Sequence, residues 1–270
     1  MFNYFIDTAD CKYITSLWEK IKKNSSQKAM LGVTTNPNAF FKTGDLSLKQ
    51  WVEKSKELSN IICEIREDYE GELHIQFPNS NIDEKYFKKF IDILPEFSNN
   101  NKVKLCIKIP PFQNALNVAE KYKKNYNLNV TGTADASTAL MALSYGIKYL
   151  SIIPGRMEEQ GLNAKSHVAF IQKRKNKENY IITGSMRTLE GLKWCVEYGT
   201  IPTVGTKVWD QITKNNIEDV FNYKDTPENR ISIETKFGPF TSIVNNDLSN
   251  SFFNEMDSKG NNCFNDLINY

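Results

Sequence analysis

Eight short apolar runs alternate with longer amphipathic stretches between Phe2 and about residue 213, and few folds accommodate that order. The runs are 2–8, 30–36, 72–78, 103–110, 129–133, 149–154, 179–185 and 201–205. Each is short enough for a strand buried on both faces, and the stretches between them have helical spacing. In 45–69, Leu48, Trp51, Val52, Leu58, Ile61, Ile62 and Ile65 fall on one side of a helix. The stretches 134–145 and 188–198 stop at Gly146 and Gly199, as helices commonly do. Strand–helix alternation predicts a parallel sheet of α/β class, and eight is the number that closes a (β/α)8 barrel, a TIM barrel. An open doubly wound sheet is the competitor. No G-x-G-x-x-G follows the first run, so a dinucleotide site is not indicated. The expected division is a catalytic barrel over 1–213 and a C-terminal extension over 214–270.

A barrel places its site at the C-terminal ends of its strands. Those ends are polar. Asp7 ends the first run, Asn36 the second, Gln76 the third, Lys108 the fourth and Thr133 the fifth. Arg156 follows the sixth, and Ser185 and Arg187 follow the seventh. Lys108 carries the most information. It lies in Lys104-Leu105-Cys106-Ile107-Lys108-Ile109-Pro110, where alternation puts Lys104, Cys106 and Lys108 on one face. A charged amine is costly in so apolar a strand, whereas a neutral amine is a nucleophile toward carbonyls. The competing role is a lysine that snorkels to water at a strand end.

Each of these groups has a plainer alternative. Asn36, before a proline, could shape a turn. Ser185 could cap a helix. Arg156 could pair locally with Glu158 or Glu159, and Arg187 could be a surface arginine. His74, deeper on the face of Gln76, suits the core, and Cys106 suits barrel filling. Asp10, not Asp7, is placed to cap the first helix. The stretch Lys173-Arg174-Lys175-Asn176-Lys177 reads as a solvated helix end.

Composition excludes several classes. A net charge of +2 gives no pull toward nucleic acid or a membrane surface. No apolar run approaches membrane-spanning length, and the start, broken by Asp7, is not a signal peptide. The five cysteines form no C-x-x-C pair and suit free thiols in a reducing cytoplasm. Two histidines leave little for a metal site or a Ser-His-Asp triad.

The polar strand ends resemble the transaldolase family, including its small members and the fructose-6-phosphate aldolases. The likeness lies in Phe5-Ile6-Asp7-Thr8-Ala9-Asp10, Gly32-Val33-Thr34-Thr35-Asn36-Pro37 and Ile107-Lys108-Ile109-Pro110. It continues in Gly132-Thr133, Gly155-Arg156 and Gly184-Ser185-Met186-Arg187. The resemblance implies that Lys108 forms a Schiff base with a ketose phosphate and that Asp7 is the general acid/base. It gives Thr133 and Gln76 the water that serves imine formation and hydrolysis, and Asn36 a substrate hydroxyl or the lysine. Arg156, Ser185 and Arg187 would hold the phosphate. No metal or organic cofactor is implied, and a cytoplasmic homo-oligomer is expected.

The likeness has departures. Gln76 stands where transaldolases typically carry Glu. Thr131 stands where they carry an Asn two residues before the strand-five threonine. Ile153 replaces a strand-six aromatic. Transfer of a dihydroxyacetone unit is the leading expectation. Simple cleavage that releases dihydroxyacetone is the alternative within enzymes, and a non-catalytic binding barrel the alternative outside them. The tail holds Pro227, Gly238-Pro239, Phe237, Phe240, Phe252, Phe253, Phe264 and Tyr270. It is too aromatic for a free linker and is expected to pack on the barrel or on a neighbouring subunit.

Overall fold

The structure is a computed structural model that describes residues 2–94, 102–214, 217–222 and 242–270, with side chains of the last segment described from 247 onward. Pro227, Phe237 and the Gly238-Pro239-Phe240 stretch lie outside the described residues. The order is β1 (Tyr4–Asp7), α1 (Cys11–Ile21), β2 (Met30–Thr34), α2 (Pro37–Phe41), α3 (Leu48–Arg66), β3 (Gly71–Gln76) and α4 (Glu84–Ile93). It continues through β4 (Val103–Ile109), α5 (Gln113–Tyr122), β5 (Asn127–Thr133), α6 (Ala136–Ser144), β6 (Tyr149–Ile152), α7 (Pro154–Glu159) and α8 (Ala164–Arg174). Then come β7 (Tyr180–Thr183), α9 (Leu189–Glu197), β8 (Ile201–Gly205), α10 (Thr206–Lys214), α11 (Ile217–Asn222) and α12 (Ser242–Asn269).

The eight strands pair in sequence order, all parallel, and β8 returns to β1 to close the barrel. This is the (β/α)8 architecture that the alternation implied, followed by a C-terminal helix. Side-chain alternation splits the apolar content in two. Ile6, Val33, Leu73, Ile107, Val130, Leu150 and Ile181 point outward and pack with the helices in the main core. Phe5, Cys106, Tyr149 and Ile182 fill the barrel centre. Each fully buried side chain of this size contributes roughly 1.5–3 kcal/mol.

Local chemistry sets the helix starts. Asp10 accepts the Tyr13 N–H at 3.0 Å and caps α1. Ser47 and Gln50 form a reciprocal capping box on α3. Gly146 and Gly199 take left-handed φ of 72° and 67° after α6 and α9, a geometry that side chains resist. The stretch 173–177 runs past the end of α8, as the sequence suggested.

Helix α12 is 28 residues long and packs on α2, α3, α4 and β5, across the C-terminal end of the barrel. Phe253 meets Phe112 edge-on at 5.2 Å. The Asp257 carboxylate accepts the Ser80 N–H at 2.7 Å, and that of Asp266 accepts the Leu48 N–H at 2.9 Å. Gly260 lies against the Pro78 carbonyl, where an added Cβ would come within 2.0 Å of the oxygen. Among the described residues, no helix is long and apolar enough to cross a membrane.

Candidate active site

The strand ends meet as one polar layer. Lys108 is 6% exposed, and its Nζ donates to the Thr35 carbonyl at 2.8 Å. Burial lowers its pKa, and the charge of Asp7 and of Cys106 only partly offsets that. Asp7 is also buried, and burial raises its pKa against the opposing influence of Lys108, the Thr34 hydroxyl and Lys42. Both groups are therefore pushed toward their neutral forms, as a proton-exchanging pair requires. The Thr34 hydroxyl reaches Asp7 Oδ1 at 3.3 Å and Thr203 Oγ1 at 2.6 Å, which ties β1, β2 and β8 together at the mouth.

Gln76 stands in register with Lys108, so the two side chains share the inner face. Its Oε1 is buried without a hydrogen-bond partner in the protein. A buried orphan oxygen is costly, and beside an amine it is placed to hold a ligand or a water.

Strand β5 is irregular at its C-terminal end. Lys108 is in register with Asn129 on β5. Asn129 and Tyr149 are register partners on the inner face, and alternation carries that face to Thr131. Gly132 then takes φ 72°, the pairing with β6 shifts, and Thr133 comes into register with the outward-facing Ile152. Thr133 is fully buried and its hydroxyl has no partner. By alternation Thr131 shares the face of Lys108, and the orphan Thr133 hydroxyl, like Gln76 Oε1, is placed to hold a ligand or a water.

Above this layer lies a cavity of about 270 Å³, lined by Asp7, Asn36, Arg156, Ser185 and Arg187 among others. The two further cations at its wall are Lys42 and Lys207. Lys108, Gln76 and Thr133 do not line it and lie deeper in the barrel. Asn36 does two things at once: it faces the cavity, and its Oδ1 caps α2 by accepting the Ala39 N–H at 2.9 Å. Ser185 does not cap α9. Thr188 takes that role, and Ser185 turns the chain with φ 56°. Gly155 lets the loops after β6 and β7 touch, since a Cβ there would come within 1.8 Å of the Ser185 carbonyl oxygen. That contact brings Arg156 and Arg187 to one rim.

Both arginines meet carboxylates. Arg187 pairs with Glu159 at 2.6 Å. Arg156 pairs at 2.7 Å with Glu255 of α12, not with Glu158 or Glu159 as local sequence suggested. Its guanidinium also lies 5.0 Å from the ring centre of Phe252. Phe252 and Met256 of α12 complete the cavity wall. Sequence reasoning recorded Phe252 only as a tail aromatic and passed over Glu255, Met256 and Asn129. The spacing Asn129-x-Thr131, on one face of β5, was the available signal for Asn129. His74 sits in the core beneath Lys108, and its pKa is lowered by burial. Among the described residues, no group of three or more His, Cys, Asp or Glu side chains could hold a metal ion.

Comparison with known proteins places this geometry in a family. The family model described as Transaldolase/Fructose-6-phosphate aldolase matches residues 4–236. A probable transaldolase of Chelativorans sp. is 27% identical over 224 residues, which cover 80% of this chain and 91% of that protein. One of Clostridium botulinum is 27% identical over 221 residues with the same coverage. One of Brucella anthropi is 25% identical over 194 residues, covering 70% of this chain and 78% of the relative.

Proposed function

The chain belongs to the transaldolase/fructose-6-phosphate aldolase family of enzymes, and from that premise we propose that it transfers a dihydroxyacetone unit of a ketose phosphate through a Schiff base on Lys108. The observation that carries this reading is the buried Lys108 amine, with lowered pKa, beside the buried Asp7 carboxyl at the floor of a cation-lined mouth. A ligand that reaches Lys108 from this cavity passes Asp7 first.

The neutral Lys108 amine adds to the ketone, and loss of water gives an iminium. Asp7, which becomes a carboxylate on giving its proton to the departing water, removes the proton of the C4 hydroxyl while the C3–C4 bond breaks. The bond's electrons move into the iminium and leave an enamine on Lys108, and an aldehyde departs. In transfer, the enamine carbon attacks an acceptor aldehyde, Asp7 returns the proton to the new alkoxide, and water then hydrolyses the imine. Gln76 and Thr133, whose Oε1 and Oγ1 are both buried without a partner in the protein, supply the polar contacts for the water of imine formation and hydrolysis. Asn36 contacts a substrate hydroxyl from its capped position. Arg156, Ser185 and Arg187, with Lys42 and Lys207 close by, hold the phosphate through charge-assisted hydrogen bonds. The mechanism asks for no metal or organic cofactor. A cytoplasmic homo-oligomer remains part of the proposal.

Incubation with fructose 6-phosphate followed by borohydride reduction tests it. The expected result is a mass increase on the peptide containing Lys108. Absence of an adduct across a panel of ketose phosphates would overturn the reading in favour of a binding barrel. Added erythrose 4-phosphate then separates transfer, which yields sedoheptulose 7-phosphate, from cleavage, which releases dihydroxyacetone.

A further inference from the structure

A second polar layer lies inside the barrel directly below Lys108, and the reaction above does not use it. Glu72 Oε2 and His74 Nε2 are 3.0 Å apart. His74 Nδ1 and Asn129 Nδ2 are 3.1 Å apart. The Ser151 hydroxyl donates to Asn129 Oδ1 at 2.8 Å. At the far end, Glu72 Oε1 accepts the Tyr149 hydroxyl at 2.6 Å and faces Lys148 at 3.6 Å. The chain of contacts thus runs from the barrel floor to the strand neighbour of Lys108.

The chemistry of each atom fixes the directions. Hydrogen bonds from His74 and Tyr149 hold Glu72 ionised in spite of its burial, so its oxygens only accept. The Nε2 of His74 must therefore carry the proton. Burial keeps the ring neutral, which leaves Nδ1 as an acceptor. Only the NH2 end of Asn129 can then face it. The amide oxygen is left on the opposite side, held by Ser151 of β6. Lys108 lies on β4, the other neighbour of β5.

We propose that Glu72 and His74 are positioning residues that lock the Asn129 amide with its N–H side toward Lys108 and its oxygen toward β6. A donor beside Lys108 cannot accept a hydrogen bond from the ammonium, so it does not favour the charged form. The reversed amide would offer Lys108 an acceptor and hold it protonated. The effect on Lys108 rests on the Schiff-base reading above; the direction of the amide does not.

Two measurements separate these claims. With only two histidines in the chain, 15N-histidine NMR of the full-length protein resolves His74, and loss of its signals in His74→Gln assigns them. The proposal expects the Nε2–H tautomer; protonation at Nδ1 would overturn it whether or not the enzyme forms a Schiff base. The second measurement uses Glu72→Gln. Tyr149 and Lys148 draw the oxygen of the new amide to their side, which leaves its NH2 against Nε2 and reverses the tautomer. Borohydride trapping of fructose 6-phosphate on Lys108 at pH 7 should then fall about tenfold to a hundredfold, the factor one gained hydrogen bond to a charged amine is worth. Inorganic phosphate affinity, which a general loosening of the barrel would also lower, should stay unchanged. Ser151→Ala, which frees the amide oxygen without touching Glu72, should lower trapping by a smaller factor if Glu72→Gln does not fold. Trapping at the wild-type rate in a variant that folds would sink the proposal. A wild-type protein that traps nothing would instead refute the Schiff-base reading and leave the tautomer to decide this one.

Discussion

The barrel wall and helix α12 both supply side chains to the same cavity, and they do so by different physics. The wall is fixed by continuous backbone pairing around eight strands, so Asp7, Gln76 and Lys108 take their directions from register. Helix α12 has no ladder to join. It is held by Phe252, Phe253, Met256, Cys263 and Leu267 on the apolar side and by Asp257 and Asp266 on backbone donors of the barrel loops. The strands place Asp7, Gln76 and Lys108, the groups proposed to react, and the helix shapes what surrounds them. Damage to the two regions should therefore separate chemistry from access.

The largest effect belongs to the wall. Asp7→Asn keeps the shape but removes the base, and turnover should fall about 10²- to 10⁴-fold, the usual worth of a general acid/base. Reversible imine trapping on Lys108 should slow but survive, because it precedes bond cleavage. Loss of trapping together with turnover would make Asp7 indispensable to imine formation and blur the division between the two roles. The helix comes next. Phe253→Ala should cost about 3–5 kcal/mol of stability in denaturant unfolding, while protein that remains folded still traps substrate. If the folded variant traps nothing, α12 is part of the chemistry and the contrast fails.

Two smaller effects sharpen the contrast. The pH profile of trapping should reach its half-maximum below the ~10.4 of an exposed lysine, since a lowered pKa means that the neutral amine accumulates at lower pH. A midpoint at the ordinary value would mean that the wall leaves Lys108 unperturbed. Finally, Glu255→Gln removes the carboxylate that competes with an incoming phosphate for Arg156. Isothermal titration should show inorganic phosphate binding tightened by less than about fivefold, the range of a part-exposed ion pair. Weaker binding would make Glu255 a support for Arg156 and not a competitor.

Legibility in sequence followed the same line. Period-two alternation and eight repeats made the barrel visible, and the polar strand ends marked Asp7, Gln76 and Lys108 in advance. Alternation is interrupted at one place, Gly132, where a single left-handed residue shifts the pairing with β6, and no period-two pattern announces that shift. The contribution of α12 was out of reach for another reason. An ion pair between Arg156 and Glu255 joins residues 99 positions apart, and no local pattern records such a contact. Arg156 has two acidic neighbours close in sequence, yet it takes its partner from the helix that covers it.

Helix α12 rests on surfaces from several separate stretches, among them Leu48, Pro78, Ser80 and Gly132. None of these forms a seat until the strands around it are in place, and α12 is made after all eight. During synthesis the barrel can therefore close with its mouth bare, and the wall of the cavity is finished last. A ribosome that stalls within 242–270 would hold a barrel that already contains Lys108 but lacks the roof above it.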